Sequence, residues 1–180
     1  IEYMGRDFDN DYNIFEETIL DCIESKLIDD AVIGKDVKEQ VNIWGIREDV
    51  AVLAEERKFD QQFDISIPVP LIGDVIAKIS NELKECEGVK TIFPFGHVAD
   101  GNIHFIIGKD SESEELKSQI NDIIYNNTEL VNGSISAEHG IGLDKKRYLI
   151  KSRSEDEISL MRSIKKTIDP KNILNPGRVF

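Results

Sequence analysis

Apolar residues recur at helical spacing over several long stretches of this 180-residue chain. The period of three to four residues, which puts apolar side chains on one face of a helix, runs through residues 12–27, 71–86, 116–124 and 155–168. A further helix is predicted over residues 37–57, with a break near Trp44-Gly45. The pattern therefore predicts amphipathic helices along the whole chain, the last of which forms a C-terminal helical segment.

Shorter apolar stretches between the predicted helices have the pattern of β-strands. Residues 63–67 alternate apolar and polar side chains, and the prolines that follow cannot donate to a strand ladder. Strands are also predicted over residues 89–95 and 102–107, joined by a loop containing Asp100-Gly101, a favoured hairpin pair. Residues 1–4 and 31–34 are predicted as short strands, and residues 133–136 as a brief strand or a loop.

The order of these elements predicts an α+β fold. Strands interleaved with helices, with at least one hairpin, favour a ferredoxin-like antiparallel sheet with helices packed on one face. A chain of 180 residues with 40% hydrophobic content is long enough to bury a core of its own. Residues 1–180 are therefore predicted to form one domain.

The charge of the chain argues against some classes of partner. It has 35 acidic and 22 basic residues, a formal charge of −13, which disfavours nucleic acid because phosphate contacts need Lys and Arg. No apolar run reaches the roughly eighteen residues of a membrane span. We expect no nucleic-acid partner and a cytoplasmic location.

The histidines are few and stand in unusual surroundings. The chain has 3 of them: His97 and His104 flank Asp100-Gly101, and His139 follows Glu138 and precedes a glycine. Histidine is both a common metal ligand and a proton carrier near neutral pH. A single histidine is more often structural than functional, but all of them lying beside Gly, Asp or Glu in turn-like sequence indicates chemistry.

The predicted hairpin can bring two imidazoles to one point. His104 lies on a strand face shared with Asn102, and His97 ends the preceding strand. Glu138 supplies a carboxylate from a separate loop, and two histidines with one carboxylate leave positions open on a metal for water or substrate. Asp100 is the alternative, as a ligand or as the residue that orients an imidazole. Ligand identity alone does not separate zinc, manganese and iron(II), of which zinc is the first expectation.

His139 is the candidate for proton transfer. Neighbouring residues usually point apart, so Glu138 is expected to face the metal and His139 the substrate, where a neutral imidazole can act as general base. The basic run Lys145-Lys146-Arg147 is interpreted as a solvated turn in preference to a binding patch, with neutralisation of an anion by one of its lysines as the alternative. The pair Arg47-Glu48, taken on the residues alone, is interpreted as part of a solvated helix face.

Several motifs together resemble one known family. They are Gly96-His97-x-x-Asp100-Gly101-Asn102-x-His104, Glu138-His139-Gly140-Ile141-Gly142, Asp169-Pro170 with Asn175-Pro176-Gly177, Trp44-x-Ile46-Arg47-Glu48 and Asp64-Ile65-Ser66-Ile67-Pro68. In this order they resemble the C-terminal domain of FAD-linked oxidases, which include D-lactate dehydrogenase, the glycolate oxidase FAD subunit and D-2-hydroxyglutarate dehydrogenase. The resemblance is closest to the 2-hydroxyglutarate branch.

The resemblance implies the substrate half of an FAD-dependent D-2-hydroxyacid dehydrogenase. FAD would be bound mainly by an N-terminal domain of the vanillyl-alcohol oxidase type, which is not seen in this sequence, so the chain alone is expected to be inactive. The implied roles are metal binding by His97, His104 and Glu138, proton abstraction by His139, substrate binding by Arg47, and cofactor contact by Asn102 and Asn175. The electron acceptor and a homodimer stay open, and the alternative to a cytoplasmic location is attachment to the inner membrane through an electron-acceptor partner.

Three positions depart from the 2-hydroxyglutarate branch. This chain has Gln62 where that branch usually has Lys, Ala51 in place of a hydroxyl residue, and Ile106 in place of Asn. Each change removes a polar contact, so lactate and glycolate stay beside a 2-hydroxyglutarate-like substrate. Two other classes also remain: a metal-dependent hydrolase using the same His/His/Glu site, and a non-catalytic metal-binding module.

Overall fold

The computed structural model describes residue 3, residues 5–49 and residues 59–180. The chain divides into two compact units, Ile1–Glu56 and Arg57–Phe180. The strand predicted over residues 1–4 lies almost entirely outside the described residues, and so does the part of the second predicted helix beyond residue 49.

The described part of the first unit contains helices α1 (Phe8–Glu24) and α2 (Val37–Glu48). Each begins at an aspartate: Asp7 accepts from the amide of Asn10, and Asp36 accepts from the amide of Glu39. Such N-caps satisfy amides that lack a partner within the helix. The predicted break near residues 44–45 is wrong, because α2 runs through both.

The strand predicted over residues 31–34 is also wrong. These residues have no regular structure, and the side chain of Val32 is 82% exposed. A strand is stable only when another strand pairs with it, and the described residues of this unit offer none. The short apolar run was therefore not sufficient evidence for a strand.

The second unit is built on a three-stranded antiparallel sheet. Its strands are β1 (Gln61–Ser66), β2 (Val89–His97) and β3 (Asn102–Lys109), in the spatial order β1-β3-β2. The remaining elements are a 3-10 helix (Val69–Leu71), α3 (Ile72–Lys84), α4 (Glu114–Leu130), a second 3-10 helix (Lys146–Lys151) and α5 (Glu155–Ile168). Among the described helices, none is long and apolar enough to span a bilayer.

Helices α3 and α4 cover one face of this sheet, as predicted. Their apolar stripes are buried in one core with alternate residues of the strands, a core that includes Val75, Ile79, Leu83, Ile120, Ile124, Phe63, Ile65, Ile103, Phe105 and Ile107. At about 25 cal/mol per Å² of apolar surface, this burial is the main stabilising term of the unit. The predicted α+β class is confirmed.

The strand order also follows the ferredoxin-like pattern. In that β-α-β-β-α-β arrangement, β3 lies between β1 and β2, and a fourth strand after the second helix pairs with β1. Here the fourth strand is reduced to one antiparallel bridge between Ser134 and Ser66. The sequence prediction of a brief strand or loop at residues 133–136 agrees with this reduction.

The other face of the sheet carries the polar residues of interest. Side chains alternate along a strand, so Asp64 and His104 point away from α3 and α4. They lie directly opposite each other on β1 and β3, and Phe95 on β2 lies opposite His104. The β2–β3 turn is held against the end of β1, because the amide of Ile67 donates to the carbonyl of Gly101 at 2.9 Å.

Candidate metal and acid–base site

Imidazoles and a carboxylate converge on the second face of the sheet, the open face that α3 and α4 leave uncovered. The buried His104 has its Nε2 atom 3.2 Å from Oε1 of Glu138. The ring of His139 stacks on that of His104, with centroids 5.3 Å apart, and His97 lies edge-on with centroids 6.0 Å apart. The ring of Phe95 packs beside His104 at 5.2 Å. The structure thus brings the carboxylate of Glu138 and the rings of His97, His104 and His139 close together.

The tightest group differs from the predicted ligand set. Potential ligand atoms of Asp64, His104, Glu138 and His139 all lie within 4.8 Å of one another. Within the described part of the chain, His97 is not a member of this group, although its ring is next to that of His104. Imidazole and carboxylate donors suit zinc, manganese or iron(II), and the donor types fit a divalent ion.

The sequence analysis named Asp64 only as the first residue of a family motif and gave it no role at the site. Its side chain is fully buried, and Oδ2 accepts hydrogen bonds from three consecutive backbone amides. These belong to Ala137 at 3.0 Å, Glu138 at 3.1 Å and His139 at 2.9 Å. The loop that carries the candidate ligand and the candidate base is therefore bound to a residue of β1.

The surroundings of Asp64 favour its charged form. Burial by itself raises its pKa, but the amides of His139 and Glu138, the hydroxyl of Ser136 and the charge of Lys145 together lower the pKa to about 2. The Ser136 hydroxyl lies 2.9 Å from Oδ2, and Lys145 Nζ lies 3.4 Å from it. With its lone pairs engaged in this way, Asp64 is an internal anion that holds the loop.

Lys145 is not part of a solvated turn, so that interpretation is wrong for this residue. It is 9% exposed, and its ammonium group points inward to Asp64 and to Ser136 Oγ at 3.0 Å. Burial lowers the pKa of Lys145, and the attraction of Asp64 opposes that effect. Lys146 and Arg147, the other residues of the run, are exposed as predicted.

The expectation that Glu138 and His139 point apart is not met. Oε1 of Glu138 lies 3.9 Å from Nε2 of His139, and both side chains belong to the same group. The backbone curls around the Asp64 carboxylate, so neighbouring side chains converge instead of alternating as they would on an extended strand. Gly140, with φ of 82°, lets the chain leave this curl.

The electrostatic setting of His104 suits a neutral ligand. Burial lowers its pKa, as do the neighbouring His139 and His97, while the carboxylates of Asp64 and Glu138 oppose the shift. A neutral imidazole has a free lone pair, which is the form that binds metal. Desolvation on the sheet therefore favours the form of His104 that coordination needs.

The roles of the remaining predicted residues stay predictions. Arg47 is exposed on α2 of the first unit, 3.6 Å from Glu48, so its substrate role stays a prediction. Asn102 is 7% exposed, and its Oδ1 atom has no hydrogen-bond partner among the described residues. Asn175 is exposed in the C-terminal tail, and cofactor contact by either asparagine stays a prediction. Asp100 accepts from the amide of Asn102 at 3.0 Å and so shapes the turn.

A family comparison identifies the class of domain. The sequence model of the family described as FAD linked oxidases, C-terminal domain, matches residues 1–179. The chain belongs to this family, which confirms the resemblance seen in its motifs.

Curated relatives name the branch to which the chain is similar. The mitochondrial D-2-hydroxyglutarate dehydrogenase of Arabidopsis thaliana is 34% identical over 180 residues, a match covering 100% of this chain and 32% of that protein. The mitochondrial enzyme of Danio rerio is 33% identical over 180 residues, covering 100% and 33%. The enzyme of Xanthomonas citri pv. viticola is 33% identical over 164 residues, covering 88% and 34%. The chain spans about a third of the length of these relatives.

The relatives correct the predicted location. Those from Arabidopsis thaliana, Oryza sativa, Danio rerio and Bos taurus are named as mitochondrial, and this contradicts the expected cytoplasmic location. Composition and charge had carried that expectation, and neither property reports on a cell compartment.

Proposed function

We propose that this chain is the substrate- and metal-binding domain of an FAD-dependent D-2-hydroxyacid dehydrogenase. The convergence of His104, Glu138 and His139 on the open face of the sheet is the observation that carries the proposal. It supplies metal ligands and an acid–base group at one point, in a domain of the FAD-linked oxidase family.

Each residue has a defined task in this proposal. His104 and Glu138 hold a divalent ion together with His97, and His139 accepts the proton of the substrate hydroxyl. Arg47 binds the substrate carboxylate through a two-pronged, charge-assisted contact. The metal would polarise the hydroxyl as a Lewis acid, and FAD, held mainly by an N-terminal domain, would take the hydride from C2.

The exposed ring of His139 suits proton transfer to a ligand. Its side chain is 52% exposed, while the neighbouring His104 is 11% exposed and fixed in the sheet. A base must reach the substrate, and His104 is the ligand that the sheet holds in place. The two histidines therefore have the surroundings that their different tasks need.

The sheet also bears on the choice of substrate. Gln62 and Ile106, two of the departures from the 2-hydroxyglutarate branch, lie directly opposite each other on β1 and β3, two residues from the pair Asp64 and His104. They share the face of that pair, so the departures alter one patch beside the centre. The names of the relatives favour 2-hydroxyglutarate. Ile106 is buried and offers no polar contact to the substrate, which favours a shorter substrate such as lactate or glycolate.

The test begins with metal and turnover in the protein that contains this chain together with its flavin domain. Plasma mass spectrometry should find about one equivalent of zinc, manganese or iron. An artificial electron acceptor should be reduced by one of D-2-hydroxyglutarate, D-lactate or glycolate. Because general base catalysis contributes about 10²–10⁴-fold, His139→Asn should lower kcat by at least 10²-fold. Lys90→Ala, a change at an exposed ion pair with Asp110, is the matched control.

The outcomes separate the alternatives. Hydroxyacid oxidation that needs flavin supports the proposal, and the chain without its flavin domain should show no turnover. Flavin-independent cleavage of an ester or amide would show a hydrolase, and a tightly held metal without any turnover would show a non-catalytic module. The electron acceptor and a homodimer stay predictions, the second of which gel filtration with light scattering tests directly.

A further inference from the structure

We propose that Asp64 is a positioning residue that sets the geometry between His104 on the sheet and Glu138 and His139 on the loop. The inference rests on the proposed function, because positioning matters only if these groups bind a metal and move a proton. It assigns to Asp64 a task distinct from ligation, although its carboxylate lies within the same tight group.

The first step is the way in which the loop is bound. Three consecutive amides rarely find one acceptor, because an extended chain points them to alternate sides. Here the amides of Ala137, Glu138 and His139 all lie 2.9–3.1 Å from Asp64 Oδ2. Their directions fix the loop backbone at the two residues whose side chains enter the site.

The second step is the place of Asp64 in the sheet. It is the cross-strand partner of His104, within the register of β1 and β3. The side chain of Asp64 therefore holds the loop beside the strand residue His104. This position brings Glu138 within 3.2 Å of His104. No other described residue of β1 accepts hydrogen bonds from the loop amides 137–139.

The third step is the neutralisation of the anion. Lys145 is buried beside Asp64, and its ammonium group also reaches Ser136 Oγ at 3.0 Å. The Ser136 hydroxyl is in turn 3.0 Å from the carbonyl of Gly140, on the far side of His139. Asp64, Lys145 and Ser136 thus close the loop on both sides of Glu138 and His139.

Replacing the carboxylate should loosen the site without removing a ligand. Asp64→Asn keeps the size of the side chain, but its neutral amide oxygen is a weaker acceptor than a carboxylate oxygen. Its NH2 group would also stand in place of Oδ1, which accepts from the amide of Glu138 at 3.2 Å. Residues that orient metal ligands typically contribute 10- to 100-fold to metal affinity, so the metal Kd should rise by about that factor. At saturating metal, kcat should fall by about 10- to 100-fold with the KM for the hydroxyacid nearly unchanged, because Asp64 does not touch substrate.

The experiment compares Asp64→Asn with Asp110→Asn in the protein carrying its flavin domain. Asp110 is a matched control, because it too has a lysine partner, Lys90 at 3.1 Å, and a serine hydroxyl, Ser111 at 3.2 Å, but lies at the other end of β3. The readouts are zinc affinity by calorimetry, kcat and KM, and hydrogen exchange of amides 137–139 in the metal-free protein. Asp64→Asn should raise exchange at these amides while α3 and α4 stay protected, and Asp110→Asn should change none of the readouts.

Two further variants keep the inference testable if Asp64→Asn does not fold. Ser136→Ala removes one donor and should show the same effects at smaller size. Asp64→Glu restores the charge and should recover part of the zinc affinity. Faster exchange at amides 137–139 with unchanged zinc Kd and unchanged kcat would overturn the inference, since Asp64 would then be only structural.

Failure of the proposed function would look different. A wild-type protein that binds no zinc and oxidises no hydroxyacid would count against the function itself. In that case exchange at amides 137–139 still decides whether Asp64 holds the loop, because that measurement needs neither metal nor substrate. Protection that is unchanged in Asp64→Asn would overturn the positioning role in either case.

Discussion

The buried pair of Asp64 and Lys145 should respond very unequally to removal of one partner or the other. Asp64→Asn leaves the ammonium group of Lys145 buried without a counter-charge, whereas Lys145→Met leaves a carboxylate that still has four donors. The two changes therefore break the same ion pair with different consequences. This asymmetry measures whether the loop amides, and not the lysine, stabilise the anion.

The magnitudes follow from the contacts. Removing one member of a buried pair costs about 3–5 kcal/mol when the other is left uncompensated, and this is the expected loss for Asp64→Asn. For Lys145→Met we expect about 1 kcal/mol, because the amides of His139 and Glu138 lower the pKa of Asp64 more than the Lys145 charge does. The buried ammonium is itself costly, as its lowered pKa indicates, and its removal offsets part of the loss.

The assay is equilibrium unfolding in urea of the wild type, both single variants and the double variant, read by circular dichroism. A domain with the usual 5–15 kcal/mol of stability should remain folded in all of them. In the double variant the cost should fall below the sum of the two singles by at least about 1 kcal/mol, as expected for residues in direct contact. Equal costs for the two single variants, or strict additivity, would refute the reasoning.

Three further predictions concern pH, the hairpin turn and the ligands. The pKa of Asp64 is lowered from 3.8 to about 2, so its contribution to stability is present above about pH 4 and is lost as pH falls towards 2. Urea titrations at several pH values should show this loss, and the free energy of unfolding should depend less on pH in Asp64→Asn. Gly101→Ala should cost more than about 2 kcal/mol, since φ is +80° and an added Cβ would lie 2.2 Å from a carbonyl oxygen. Gly73→Ala, within helix α3, meets no atom within 4 Å and should leave stability unchanged or raise it slightly in thermal unfolding. His104→Ala should lose the bound metal by plasma mass spectrometry, and His97→Ala should weaken it; full metal content in His97→Ala would remove that residue from the ligand set.

Much of the fold was predictable because local pattern and tertiary packing agree. The stripe that became α3 is apolar at helical spacing, and the alternation of residues 63–67 has the period of a sheet with one covered face. The last helix, predicted over residues 155–168, has these bounds in the structure. Its start follows from local sequence, because Ser154 and Glu157 form a capping box. At residues 31–34 the apolar pattern of a strand had no neighbouring strand to pair with among the described residues, and the predicted strand did not form.

The histidine part of the site was predictable for a similar reason. A hairpin with an Asp-Gly turn fixes which residues of its two strands lie on one face, so His97 and His104 had to be near each other. The approach of Glu138 could not be derived in that way, because the loop that carries it is distant in sequence. Glu138 was proposed as a ligand from its residue type and its place beside His139, and the family resemblance implied the same role.

Asp64 shows what a pattern of apolar and polar residues leaves out. In an alternating strand its polarity reads as a solvent-facing position, yet the residue is fully buried. A carboxylate that is almost never buried without partners becomes stable here because three amides, a hydroxyl and an ammonium group reach it from residues 136–145. Those donors were visible in the sequence only as a glycine-rich loop followed by a basic run. One signal could have found Asp64: it lies on the same face of the sheet as His104. A polar residue on the face of a candidate metal ligand can hold other site residues, here Glu138 and His139, close to that ligand.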